Sequence, residues 1–407
     1  MQEATQVLAA LCLMFVAAKV LGYLSERLNQ PSVVGEILAG VLIGPSVLGW
    51  VQPTGFIDIL AELAVIVLLF RVGLEVNLRD MMEVGLLALG VAVVGVVLPF
   101  LAGAGLVAYG LQGELPVALF MGAAMVATSV GITARVLSDL GQLQRRESRT
   151  ILGAAVIDDV LGLLVLAMVA GIATAGAVSW GDLAGTIGAT VAFVAGVLVV
   201  ARPLFARFSR RLPDPGATPT AFFVAVALMF GLSALAAQVG LAAIVGAFFA
   251  GLIVELGDRQ PALEQQVGPV AEFLVPFFFA SVGMKVELGA FVNPETLGLT
   301  AAVLGLAIIT KVAAGWLVAS RSGWLSSTLI GVGMMPRGEV GIIVALMGLS
   351  LGVIDESLYS VVVAMSIATT IVAPPILKAI LNRLVRQEAG SYAGESSRTV
   401  LEGQGGH

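Results

Sequence analysis

The chain has 407 residues, 58% of them hydrophobic and only 12% charged, with a formal net charge of −6 and a mean hydropathy of +1.03. Soluble domains carry roughly 25% charged residues, so this composition excludes a soluble enzyme and describes a polytopic membrane protein. The 49 glycines suit helices that pack closely or are interrupted, and the single cysteine, Cys12, cannot form an intrachain disulfide.

Polar, Gly and Pro clusters divide the sequence into about 13 apolar stretches, each near the ~20 residues that cross a bilayer as a helix. They cover 5–24, 33–50, 57–75, 86–109, 116–139, 151–172, 183–205, 219–238, 241–256, 269–284, 298–319, 326–350 and 358–382. The first has no basic residue ahead of it and runs too far for a signal-peptide core, so it is expected to remain as an uncleaved span. Basic residues alternate with the count. Arg27, Arg79, Arg145/Arg146/Arg149, Arg202/Arg207/Arg210/Arg211, Arg259, Arg321 and Arg383/Arg386 follow odd-numbered spans, and the loops after even-numbered spans hold little besides Lys285. Lys and Arg collect in cytoplasmic loops, which predicts an N-terminus outside and a C-terminus in the cytoplasm.

Span five contains Val126-Ala127-Thr128-Ser129-Val130-Gly131, two hydroxyls and a glycine near mid-membrane. Thr128 and Ser129 there either bond back to their own helix or line a site. Span six contains Ile157-Asp158-Asp159-Val160, two adjacent carboxylates in an apolar run. An Asp at the centre of a membrane helix costs about 2.5 to 3.5 kcal/mol on insertion scales, so the pair needs a partner or a task. At 1.5 Å per residue both carboxylates lie roughly 11 to 12 Å from the cytoplasmic end of span six, and Lys311 of span eleven lies roughly as deep. Adjacent helical residues point about 100° apart, so Lys311 can face one carboxylate while the other looks elsewhere and takes a proton or a cation.

Span twelve carries Gly331-Val332-Gly333-Met334-Met335-Pro336-Arg337-Gly338-Glu339, where a proline and three glycines predict an unwound segment beside two charges. Such breaks survive in a membrane only where they are buried in protein or line a cavity. Spans five and twelve run in opposite directions, as matching members of two inverted six-helix repeats joined by a seventh helix would. The midplane charges Asp158, Asp159 and Glu339 against Lys311 and Arg337 leave one negative charge, which a monovalent cation or a proton balances. Glu36, Asp58, Glu62, Arg71, Glu75, Arg135 and Glu272 fall near helix ends and read as structural. The Met334-Met335 pair and Phe277-Phe278-Phe279 read as packing or lipid-facing residues. From Gln387 the chain turns small and polar, which predicts a disordered tail, with His407 as a tail residue and not a metal ligand.

The stretches Ala127-Thr128-Ser129-Val130-Gly131-Ile132-Thr133-Ala134-Arg135, Ile157-Asp158-Asp159-Val160-Leu161-Gly162, Lys311 and Pro336-Arg337-Gly338-Glu339-Val340-Gly341 resemble bacterial sodium/proton antiporters of the NapA type, in the monovalent cation:proton antiporter superfamily. The resemblance runs from the first span to the last. It implies an all-α polytopic protein with two crossed discontinuous helices, a homodimer of the bacterial inner membrane that serves pH homeostasis. Scaffold helices would occupy 1–85 and 213–290, ion-transport core helices 86–175 and 291–386, a linking helix 176–212 and a cytoplasmic tail 387–407. Asp159 would bind Na+ (or Li+) or H+, and Asp158 would pair with Lys311 as salt-bridge partner or proton carrier. Thr128 and Ser129 would line the site, with Pro336, Arg337 and Glu339 stabilising the half-helices. Relatives with paired Asp are generally electrogenic. No cofactor, nucleic acid or nucleotide-binding domain is expected. A K+/H+ antiporter is the alternative within transport, and a cation channel or a transport-inactive sensor the alternative from another class.

Overall fold

The computed structural model describes residues 2–76, 78–175, 180–209, 220–254, 260–286 and 294–404. Each apolar stretch forms a helix or a pair of half-helices. They are α1 (Gln2–Arg27), α2 (Ser32–Ile43), α3 (Gly55–Glu75), α4 (Gly85–Gly105, extended by the π turn Leu106–Gly110), α5 (halves Leu115–Ala124 and Val130–Asp139) and α6 (Arg146–Ala175). Then follow α7 (Trp180–Gly196, continuing through Val197–Ala201 to Arg202–Ser209), α8 (Thr220–Gln238), α9 (Ala243–Val254) and α10 (Gln260–Met284). The last are α11 (Pro294–Ala319), α12 (halves Trp324–Gly333 and Gly338–Ser350) and α13 (Glu356–Gln404). Among the described residues the thirteen apolar stretches thus appear as helices or half-helix pairs, seven of them long and apolar enough to cross a membrane, with the fifth and twelfth interrupted as predicted. Arg210, Arg211, Arg259 and His407 lie outside the described residues.

Local chemistry explains several boundaries. The Thr54 hydroxyl accepts the Ile57 N–H at 3.4 Å and opens α3. The stretch 33–50, expected as one span, is helical only to Ile43. Gly44 leaves the helix in an extended conformation and Pro45 follows, so α2 covers about 18 Å, short of the ~30 Å hydrocarbon core. At the other end, α13 runs on through the tail expected to be disordered, to Gln404. Extending an existing helix avoids the nucleation cost that an isolated polar segment would face.

Two sets of helices pack internally. α3 lies against α9 and α10, α2 against α1 and α10, and α8 against α9. Gly40 of α2 and Gly283 of α10 let these backbones touch: a Cβ on Gly40 would collide with the Ala280 carbonyl, and one on Gly283 with the Ile37 carbonyl. In the second set α4 packs on α6 and α11, while α11 packs on the first half of α12 and on α13. The first half of α5 packs on α4 and on the second half of α12. The sets meet where α2 and α3 touch the second half of α5, and where α2 touches α13.

Candidate functional site

The interrupted helices cross, and each supplies what the other's broken backbone lacks. A helix end leaves unpaired amides or carbonyls, which are costly away from water. The Ser129 N–H, at the start of the second half of α5, donates to the Pro336 carbonyl at 2.7 Å. The Thr128 hydroxyl donates to the Met334 carbonyl at 3.3 Å, and Thr133 to the Gly333 carbonyl at 2.7 Å. Thr128 therefore bonds across the crossing and not back to its own helix. In return Arg337, fully buried, donates from one terminal nitrogen to the carbonyls of Val126 (2.9 Å) and Ala127 (3.2 Å), and from the other to Ala307 of α11 (3.5 Å). The C-terminal end of a helix carries about half a negative charge, which the guanidinium compensates. The Arg337 amide is held by the Thr369 hydroxyl of α13 at 3.2 Å. Pro336 lacks an amide and so removes one donor that the break would otherwise strand. Met334 and Met335 are buried in this packing, as are Phe277, Phe278 and Phe279 in theirs.

Beside the crossing, Lys311 of α11 lies 3.3 Å from Asp158 of α6, and both side chains are fully buried. Gly95 of α4 packs beside the ammonium: a Cβ there would make van der Waals contact with Lys311 Nζ at 3.4 Å. Removing one member of such a pair costs about 3 to 5 kcal/mol, because the other charge stays buried. Asp159, one residue on, lines a small chamber whose other walls are Leu69, Val130, Leu152, Val156, Ile244, Val245 and Phe248. These walls come from both helix sets, α3 and α9 on one side and α5 and α6 on the other.

A larger cavity of about 390 Å³ lies between the start of α3, the start of α9, the end of α10, the second half of α12 and α13. Ile244 lines both spaces, so the cavity reaches the edge of the Asp159 chamber. On the opposite side the two helix sets are in contact. The Ser32 hydroxyl of α2 donates to Asp139 at the end of α5 (3.2 Å), and Lys378 of α13 donates to the Asn29 carbonyl (3.1 Å). A half-buried carboxylate at the edge of such a cavity can hold a small cation or a proton and release it toward that side.

Of the residues singled out in the sequence, Thr128, Ser129, Pro336 and Arg337 meet at the crossing, and Asp158, Asp159 and Lys311 lie beside it. Glu339 stands in the first turn of the second half of α12, and its side chain lies outside the described residues. Of the charged residues expected to be structural, Arg71 pairs with Glu75, Arg135 with Asp139 and Asp58 with Lys285, while the buried Glu36 keeps one carboxylate oxygen without a hydrogen-bond partner among the described residues. Two members of the crossing escaped the sequence reading. Thr133 lies four residues past Ser129 in the same stretch and could have been found from that helical spacing. Thr369 and the apolar chamber walls carry no such signal, because a hydroxyl or an aliphatic residue in a membrane helix looks like ordinary packing.

The family described as sodium/hydrogen exchanger, transmembrane, matches residues 13–383. The high-affinity Na+/H+ antiporter NhaS3 of Synechocystis is 36% identical, with 94% of this chain and 91% of that protein covered. The Na+/H+-K+ antiporter GerN of Bacillus cereus is 35% identical, with 90% and 94% covered. Among solved structures, the sodium proton antiporter MjNhaP1 of Methanocaldococcus jannaschii superposes with a TM-score of 0.71 at 16% identity, covering 94% of this chain and 97% of that one, and so shares the fold.

Proposed function

The chain belongs to the sodium/hydrogen exchanger family, and on that premise we propose that it is a secondary active antiporter exchanging Na+ for H+ across the membrane. The observation that carries the reading is the buried Lys311–Asp158 pair with Asp159 beside it, lining a chamber at the edge of the 390 Å³ cavity. Asp159 holds either the cation or a proton, and this exclusion couples the two fluxes. Thr128 and Ser129 line the site, while Pro336, Arg337 and Glu339 keep the crossed half-helices in place.

Exchange proceeds by alternating access. Helices α4–α6 and α11–α13 form the moving core, α1–α3 and α8–α10 the scaffold, and α7 the link. A core displacement of the elevator type would close the cavity and part the Ser32–Asp139 and Lys378–Asn29 contacts. By the distribution of basic residues the cavity opens outward, the N-terminus lies outside and the C-terminus in the cytoplasm. The protein acts as a homodimer in the bacterial inner membrane. Na+ at Asp159 draws Asp158 from Lys311, and the stranded ammonium sheds its proton, since an unpaired buried charge is costly. Two protons per Na+ make the exchange electrogenic.

K+ remains the second reading, favoured by one observation: the relative GerN is named an Na+/H+-K+ antiporter. Current recording on solid-supported membranes with Na+, Li+ and K+ jumps at two pH values tests both. Na+ and Li+ should give transient currents larger at the higher pH, and K+ none. A K+ current of equal size would move the chain to the second reading, and a steady Na+ leak without proton movement would make it a channel.

A further inference from the structure

The mouth of the 390 Å³ cavity carries three charges that the exchange site does not use. Lys285, at the end of α10, lies 3.1 Å from Asp58 in the first turn of α3, with 40% and 49% of their side chains exposed. Glu62, one turn further along α3, lines the same cavity. Deeper, the walls are largely apolar, with Val65, Ile244, Phe278 and Ile342 among them. The buried Ser366 hydroxyl also faces this space and has no hydrogen-bond partner among the described residues. Low-dielectric walls around a few charges concentrate their field, so a single charge here alters the local cation concentration. Together Asp58, Glu62 and Lys285 leave one negative charge at the mouth.

We propose that these three residues set the affinity for external cations, with Lys285 a tethered ammonium that competes with the incoming ion for the carboxylates of the mouth. The inference rests on the exchange reading and on the outward orientation of the cavity. Lys285 lowers the attraction the two carboxylates would exert alone, so the half-saturating cation concentration is held above the value the vestibule could reach. Neither the rate of the core displacement nor the chemistry at Asp159 depends on them.

The test uses the full-length protein in right-side-out and inside-out vesicles, with Na+ activation measured on each face. Lys285→Gln should lower the external half-saturating Na+ by about two- to fourfold, and Glu62→Gln should raise it by a similar factor, as expected for one charge some 5 to 10 Å away in a wet vestibule. Both shifts should be present at roughly 0.01 M ionic strength, where the Debye length is about 30 Å, and absent at roughly 1 M, where it is about 3 Å. Asp58→Lys combined with Lys285→Asp keeps the sum of charge and should return the wild-type value. Maximum rates and cytoplasmic half-saturation should not move. Shifts that persist at high ionic strength, appear on the cytoplasmic face or act on the maximum rate overturn the proposal, as does the lack of any shift at low ionic strength. If Lys285→Gln and Glu62→Gln are silent while wild type exchanges normally, only this inference falls. If wild type moves no Na+ against H+, the exchange reading itself falls.

Discussion

The crossing of α5 and α12 and the chamber at Asp159 are neighbouring regions with different surroundings. At the crossing, backbone ends and hydroxyls are matched within the chain: Ser129 with Pro336, Thr128 with Met334, Thr133 with Gly333, and Arg337 with Val126 and Ala127. At the chamber a carboxylate faces walls made of Leu, Val, Ile and Phe side chains. On the exchange reading the two regions have different tasks. Groups that satisfy one another hold a costly backbone break in place. On that reading, the carboxylate at the chamber is the group that takes the transient ligand.

The sharpest way to separate the two regions is Asp159→Asn. The amide keeps the shape but cannot exchange a proton at working pH, so Na+/H+ exchange in proteoliposomes should fall at least about tenfold, ~1.4 kcal/mol or more of lost driving interaction. Thermal unfolding in detergent should stay near wild type. Exchange close to wild type would remove Asp159 from the chemistry and erase the contrast.

Arg337→Gln should do the reverse, acting first on stability. It leaves the carbonyls of Val126 and Ala127 without their charged donor, and hydrogen bonds to charged groups are worth about 1.5 to 3 kcal/mol each. A loss of roughly 2 to 4 kcal/mol in unfolding free energy is expected. A stable variant that merely transports slowly would place Arg337 in the transport step instead.

The Lys311–Asp158 pair stands between the regions and can belong to either. Lys311→Gln alone should cost about 3 to 5 kcal/mol by stranding a carboxylate, whereas Lys311→Gln with Asp158→Asn removes both charges and should cost about 1 to 2. If the lysine carries a proton, the double variant moves Na+ without net current. An unchanged current per Na+ would assign the pair to the support function shown by the crossing.

Thr128→Val should have the smallest effect. It removes one hydroxyl from the Met334 carbonyl, worth about 0.5 to 1.5 kcal/mol, with exchange still measurable. A loss of transport as deep as that of Asp159→Asn would make the Thr128 hydroxyl indispensable to the ion and not merely a lining group.

The chain itself determined more than is usual, because a bilayer imposes simple rules on it. Thirteen apolar stretches, the alternation of Arg-bearing loops and the two Gly- or Pro-marked breaks are local properties, written in composition and spacing. That Lys311 meets the carboxylate pair of α6 was legible too, since helix rise converts chain position into depth and only a few charges share that depth, while its pairing with Asp158 was implied by the resemblance. Tertiary structure alone decided the rest. That Arg337 caps α5 depends on how two helices cross over 210 residues apart in the chain, and this tilt leaves no trace in hydropathy. Which Leu, Ile and Phe side chains enclose Asp159, when most such residues elsewhere face lipid or pack, depends on the same relative placement. The lengths of α2 and α13 were misjudged for a related reason. Hydropathy measures how well a residue sits in lipid, and only local backbone geometry and helix continuity say where a helix stops.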